Sequence, residues 1–64
     1  MCLARVYGQK KDEEEILLVD SIAHITPEGN KLRLEDIFGD ETVVEGTLLS
    51  LDLERSTVKI RLAE

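Results

Sequence analysis

Val58–Leu62, which reads VKIRL, alternates strictly between apolar and charged side chains. Successive side chains of a β-strand point to opposite faces of the sheet, so this pattern predicts a strand with one buried and one solvated face. The stretch KLRLE at residues 31–35 repeats the pattern, and LSLDL at residues 49–53 gives a third case. Residues 2–7 are rich in small and β-branched side chains and predict a first strand. The dominant period of two indicates an all-β protein.

Polar and turn-forming segments separate these runs. Residues 8–15 form an acidic loop, and residues 26–30, TPEGN, predict a tight turn because Pro presets φ and Gly or Asn accepts positive φ. Residues 39–41 close another turn, and residues 54–56 form a short hairpin loop. This spacing predicts one domain over residues 1–64, folded as a small five- to six-stranded antiparallel SH3-like barrel.

Two segments carry more apolar surface than one core face requires. Ile16–Val19 is apolar on both faces, and Leu48-Leu49 interrupts the alternation, while Gly46 predicts a bulge or bend. One explanation is a curved barrel strand whose two ends face different parts of one core. The other is a dimer interface, because exposed apolar patches on small domains indicate a partner. Both explanations remain open at this point.

Length and charge restrict the classes of function. The chain has 64 residues, one Cys and a formal net charge of -6, from 14 acidic and 8 basic side chains. So short a chain buries only about 60% of its surface, which makes self-association a reasonable source of stability and disfavours an enzyme with a deep cleft. We expect a cytoplasmic protein outside the membrane, since no signal peptide or long apolar run is visible and one Cys fits a reducing compartment.

Cys2 is the residue whose position suggests chemistry. Its thiolate is a soft ligand that suits nickel, copper or zinc. If Met1 is removed, the α-amine and the thiolate of Cys2 close a five-membered chelate. If Met1 is retained, its amine, the Cys2 amide nitrogen and the Cys2 sulfur form two fused rings. Either set suits a square-planar Ni(II) or Cu(II) site. The alternative is a small buried apolar residue at the start of a strand.

Two polar features have a functional and a structural interpretation. His24 could serve a metal or a proton-transfer role, but an ordinary strand residue is the favoured interpretation. The run Asp12–Glu15 could attract cations, but its four adjacent carboxylates lack the spacing of a calcium loop. A solvated loop between strands is favoured for this run.

A set of basic side chains supports an alternative function, RNA binding by a small barrel. Lys59 and Arg61 line one outward face, which three further cations could join: Arg5, Lys31 and Arg33. Single-strand binders usually offer aromatic stacking platforms, whereas this chain has one Tyr and one Phe. Net negative charge also argues against strong phosphate binding, so nucleic acid is a disfavoured partner.

Residues 1–6, MCLARV, resemble the start of CooT-family proteins, which begin with Met-Cys, an apolar residue, Ala, a basic residue and Val. The length, the alternating strands and the acidic balance are also similar. The resemblance implies a small β-barrel that forms a homodimer and binds Ni(II) through the Cys at position 2. It implies a nickel chaperone for carbon monoxide dehydrogenase, and only Cys2 is carried over as a ligand. The family has also been labelled as RNA-binding by analogy of fold, which does not establish a function.

Overall fold

The computed structural model describes residues 3–64, which form five β-strands and, within that range, no helix. The strands are β1 (Ala4–Gln9), β2 (Ile16–Glu28), β3 (Lys31–Asp36), β4 (Glu41–Asp52) and β5 (Thr57–Leu62). Each strand pairs with the next along the chain, and β1 pairs with β5, so that the sheet closes into a barrel. The all-β barrel predicted from the alternation is confirmed.

The closing pair differs in direction from the rest of the sheet. β1 and β5 are parallel, whereas the other four pairings are antiparallel. This follows from the number of strands, because consecutive strands of a meander alternate in direction and the first and fifth therefore run the same way. The antiparallel prediction holds for every pair of consecutive strands, and of the five to six strands expected the described chain forms five.

The strands β2 and β4 are each shared between two neighbours. They contain 13 and 12 residues, against 6 in each of the others. β2 pairs with β1 up to Ile22 and with β3 from Ile22 onward, and Ser21 has a φ of 58° at this change of partner. β4 pairs with β3 up to Glu45 and with β5 from Gly46 onward. The two strands therefore contribute to both halves of the barrel.

Gly46 lies where β4 changes partner, and the bulge or bend predicted for this position is not a register shift at Gly46 itself. Its N–H donates to the carbonyl of Asn30 at 3.0 Å. A Cβ at this position would clash with the carbonyl oxygen of Arg61 and would press on the Ile60 side chain. Only glycine therefore permits this close approach of β4 to β5. The register shift of the pair falls slightly later, beside Leu49.

The core consists of apolar side chains from four strands. It contains six buried residues: Val6, Ile22, Leu32, Leu34, Val58 and Ile60. The stretches at residues 31–35 and 58–62 supply four of them at alternate positions, as the period of two predicts. No polar or charged side chain of residues 3–64 is buried. The interior is therefore a packed apolar core.

The third alternating stretch does not form the buried face that its pattern predicts. Leu49, Leu51 and Leu53 are all exposed. The register shift beside Leu49 interrupts the alternation, and β4 ends at Asp52, so that Leu53 falls in a turn. Among residues 3–64, this half of β4 is paired with β5 alone, and its other edge remains uncovered.

Four turns form near the predicted positions within the described residues, and their boundaries differ from the prediction. β2 continues through Pro27 to Glu28, so the predicted five-residue turn is reduced to Gly29-Asn30, with a φ of 62° at Gly29. Pro27 is tolerated in the strand because this half of β2 pairs with β3 only, and an edge position requires no N–H from Pro. The first strand runs to Gln9, so two residues of the predicted acidic loop belong to β1.

Candidate metal centre

The predicted metal ligands, Cys2 and Met1, lie outside the residues that the structure describes. The described chain begins at Leu3, which is half-buried, and β1 begins at Ala4. The structure therefore defines the part of the barrel next to these ligands in the sequence. Their coordination of a metal stays a prediction.

The start of β1 lies between the ends of two other strands. Ala4 pairs with Ile22 of β2, and Ile22 pairs with Asp36 at the end of β3. On the other side, Arg5 pairs with the first residue of β5, which pairs with the last residue of β4. Neighbouring strands are about 4.8 Å apart, so the ends of β3 and β4 each lie about 10 Å from the start of β1. The turns that follow these strand ends, residues 37–40 and residues 53–56, are therefore close to the start of β1.

The side chains of residues 3–64 form no rival metal site. No three His, Cys, Asp or Glu side chains in this range are grouped so that they could hold a metal ion. This range also contains no helix that is long and apolar enough to cross a membrane. The residues available for a thiolate site are therefore those that the sequence singled out, since Cys2 is the chain's one Cys.

His24 lies on β2, with 72% of its side chain exposed. Its Nδ1 is 3.1 Å from Oε1 of Glu35, the residue opposite it on β3. This cross-strand contact on the outer surface agrees with the favoured interpretation of an ordinary strand residue.

The acidic run Asp12–Glu15 is exposed in the loop between β1 and β2. Hydrogen bonds to the backbone of Glu13 shape this loop: the Gln9 amide donates to the Glu13 carbonyl at 2.8 Å, and the Glu13 N–H donates to the Lys10 carbonyl at 3.1 Å. Glu15 reaches Lys59 of β5, with 3.6 Å between Oε2 and Nζ. These contacts agree with a solvated loop.

The basic side chains on which an RNA site would depend include two that face carboxylates. Lys59 contacts Glu15, and Arg33 contacts both Glu28 and, at 3.6 Å, Glu41. Because these ion pairs offset the cationic charge, they reduce the attraction for phosphate that RNA binding requires. The geometry gives no support to the RNA alternative.

Exposed apolar side chains lie on the half of β2 that pairs with β1 and on the half of β4 that pairs with β5. Ile16 and Leu17 lie at the start of β2, and Leu48, Leu49 and Leu51 in the second half of β4. In the described chain, each of these half-strands is paired on one side only. The change of partner along β2 and β4 agrees with the explanation of a curved barrel strand, and the dimer interface stays a prediction.

Together the fold and the candidate site define a class, a small closed β-barrel with an apolar interior and with its candidate metal ligands in the N-terminal segment. The chain belongs to the CooT family, because the family model described as "CO dehydrogenase accessory protein CooT" matches residues 1–61. The resemblance drawn from residues 1–6 is thereby confirmed, and the family description supports an accessory role for CO dehydrogenase.

A solved structure supports the fold independently. The chain is similar to the crystal structure of a candidate CooT from Carboxydothermus hydrogenoformans, with a TM-score of 0.85 and 24% sequence identity. The match covers 98% of this chain and 100% of that one. At this identity the similarity establishes the shared fold. No curated protein matches the chain in sequence.

The sequence did not single out the two turns beside the start of β1 as functional. The 37–40 turn carries Phe38 and the 53–56 turn carries Leu53, and both side chains are exposed. A signal for the first turn exists, because Asp36 precedes two apolar residues and Gly39, and Asp side chains favour turns by accepting backbone N–H groups. The second turn was predicted at residues 54–56, without Leu53, because Leu53 continues an apparent strand alternation.

Proposed function

We propose that this chain is a nickel-binding accessory protein that holds Ni(II) through Cys2 and delivers it to carbon monoxide dehydrogenase. The observation that carries the proposal is the family match, which begins at residue 1 and so includes the Met1-Cys2 pair. The thiolate of Cys2 supplies a soft ligand, and the Met1 amine with the Cys2 amide nitrogen, or the Cys2 amine after Met1 removal, supplies nitrogen donors.

The barrel favours a transferable metal over a deeply held one. Residues 3–64 bury no polar side chain and group no alternative ligands. In this proposal the ligand set belongs to the N-terminal segment and is exchanged with the ligands of a client protein, because the apolar core of residues 3–64 offers no ligands of its own. The nickel is therefore cargo in this proposal. The protein is proposed to be cytoplasmic, because a reducing compartment keeps the Cys2 thiol free.

We further propose that the chain acts as a homodimer. The exposed apolar side chains of β2 and β4 lie on strand edges that are uncovered in the described chain, and such edges invite pairing with another chain. A second copy would also bring a second Cys2, so that one nickel ion could be shared by two thiolates.

The test is a calorimetric titration of untagged protein with Ni(II), together with an intact-mass measurement of Met1 processing and of nickel per chain. We expect Cys2→Ser to lose at least about tenfold in affinity, because a hydroxyl does not replace a soft thiolate. The matched control is His24→Asn, which removes the one imidazole of the chain and should bind as the wild type does. Equal affinity of the wild type and Cys2→Ser would refute the proposal.

A further inference from the structure

The two most exposed large apolar side chains of residues 3–64 are in turns. Phe38 is 79% exposed and Leu53 is 77% exposed. Each follows a strand end that lies close to the start of β1, so the two turns are placed on either side of the point where the N-terminal segment joins the barrel. An open groove runs beside the second turn, with Leu51 and Leu53 as its apolar side chains.

Hydrogen bonds hold the 37–40 turn in its conformation. Oδ1 of Asp36 accepts the N–H of Phe38 at 2.8 Å and the N–H of Asp40 at 3.0 Å. The N–H of Ile37 donates to the Ser21 carbonyl at 3.1 Å, which ties the turn to β2. A preorganised turn loses little conformational entropy when it binds, and a rigid exposed aromatic side chain is a typical anchor of protein interfaces.

The charge around these apolar side chains limits the kind of partner. Residues 35–41 contain four carboxylates and no cation, whereas the groove beside the second turn is lined by one carboxylate and two cations, Asp52, Arg55 and Lys59. The Asp36 side chain is occupied by backbone N–H groups, and Asp52 contacts Arg55. The surface complementary to the 37–40 turn, which carries Phe38, is therefore one in which an apolar pocket is bordered by Lys and Arg.

We propose that the end of the barrel formed by the 37–40 and 53–56 turns is the docking surface for the client enzyme, with Phe38 as the main anchor. The partner is a protein that offers an apolar pocket with a cationic rim near its own nickel-accepting ligands. This inference rests on the proposed nickel delivery and adds to it the surface that brings the N-terminal segment to the client. A second copy of this chain fits less well, because its corresponding surface is equally acidic and would be repelled.

The test measures docking and nickel separately. Metal-free protein is titrated calorimetrically into nickel-free carbon monoxide dehydrogenase from the same organism. We expect the two proteins to associate, with an affinity that decreases as salt is added. Phe38→Ser should lower this affinity at least about tenfold, as expected for an aromatic anchor. Leu53→Ser should weaken it less. The control Val43→Thr, which changes an exposed apolar residue on β4 outside both turns, should leave it unchanged.

Each outcome separates the docking surface from the nickel site. Cys2→Ser should dock as the wild type does and should deliver no nickel. Docking of Phe38→Ser with wild-type affinity would overturn the docking surface, as would the absence of docking by the wild type, even if Ni(II) binding is intact. A loss of docking that coincides with dissociation of a dimer, observed by sedimentation, would assign the turns to a second copy and overturn the client proposal.

Discussion

Gly46 determines how closely β4 approaches β5. The space that a side chain would need is already occupied by the carbonyl of Arg61, a backbone group that cannot move without disturbing the β4–β5 pairing. The same position begins the half of β4 that pairs with β5, so the absence of a Cβ allows the first contact of this pairing.

We expect Gly46→Ala to lower the free energy of unfolding by about 2 kcal/mol, because the added Cβ forces β4 away from β5. Gly29→Asn is the control, since Gly29 also has an unusual backbone, with a φ of 62°, but open space around it and Asn tolerates this conformation. Its effect should remain within about 0.5 kcal/mol. Urea denaturation of the two variants measures the difference, and equal stability of both would contradict the argument.

The affinity of Cys2 for nickel should depend on pH. The pKa of an ordinary Cys thiol is about 8.5 and that of a terminal amine is about 8, and both groups must lose a proton before they bind a metal. We therefore expect Ni(II) affinity to fall as the pH decreases below these values, with proton release on binding. Calorimetry in buffers of different ionisation enthalpy measures the released protons. An affinity that does not change between neutral and mildly acidic pH would indicate ligands other than the thiolate and the amine.

At the scale of elements, the 37–40 turn is stabilised by a single carboxylate. Asp36 is the last residue of β3, and its side chain satisfies two N–H groups that would otherwise face solvent. Gly39, with a φ of 90°, completes the turn, and its N–H donates to the Asp36 carbonyl at 3.2 Å. The turn is therefore defined by its own sequence as well as by packing.

We expect Asp36→Ala to lower the free energy of unfolding by about 1 kcal/mol, because two exposed hydrogen bonds are lost. Asp36→Asn is the matched variant, because it keeps an acceptor oxygen and removes the charge, and it should retain most of the stability. Amide hydrogen exchange at Phe38 and Asp40 should accelerate in Asp36→Ala. Unchanged exchange at both amides would show that the carboxylate does not hold the turn.

The sequence predicts best those strands in which the alternation of apolar and polar residues matches the alternation of buried and exposed side chains. β3 and β5 lie between two neighbours, so alternate residues are buried and the pattern VKIRL is enough to define the strand. The end of β4 could not be predicted in this way, because its alternating leucines are not buried. A register shift interrupts the pairing, and one edge of this half-strand is uncovered. Cys2 was identified by its position and by family resemblance, since a single thiol carries no spacing pattern.

At the scale of the whole molecule, the core is small. Among residues 3–64, six apolar side chains are buried, while several apolar side chains on β2 and β4 remain in contact with solvent. A domain of this size is only marginally stable alone. Burial of the exposed apolar edges by a second copy would add apolar contact area without enlarging the core.

We expect the protein to sediment as a dimer and its Tm to rise with protein concentration, because association stabilises the folded state by mass action. Leu17→Lys and Leu49→Lys place a charge on each exposed apolar edge in turn, and at least one of them should dissociate the dimer. Val43→Lys serves as a control on the outer face of the first half of β4. A wild-type Tm that is constant over about a hundredfold range of concentration would exclude the dimer.

The parallel pairing of β1 with β5 has a practical consequence. Because the two strands run side by side in the same direction, Ala4 and Leu62 lie near opposite ends of the barrel, separated by roughly 20 Å for six residues of extended chain. A fluorophore or a surface tether attached after Leu62 would therefore lie at the opposite end of the barrel from Ala4. Immobilised in this orientation, the protein would present the start of β1 and the Phe38 turn to an enzyme in solution, which makes real-time measurements of the proposed transfer feasible.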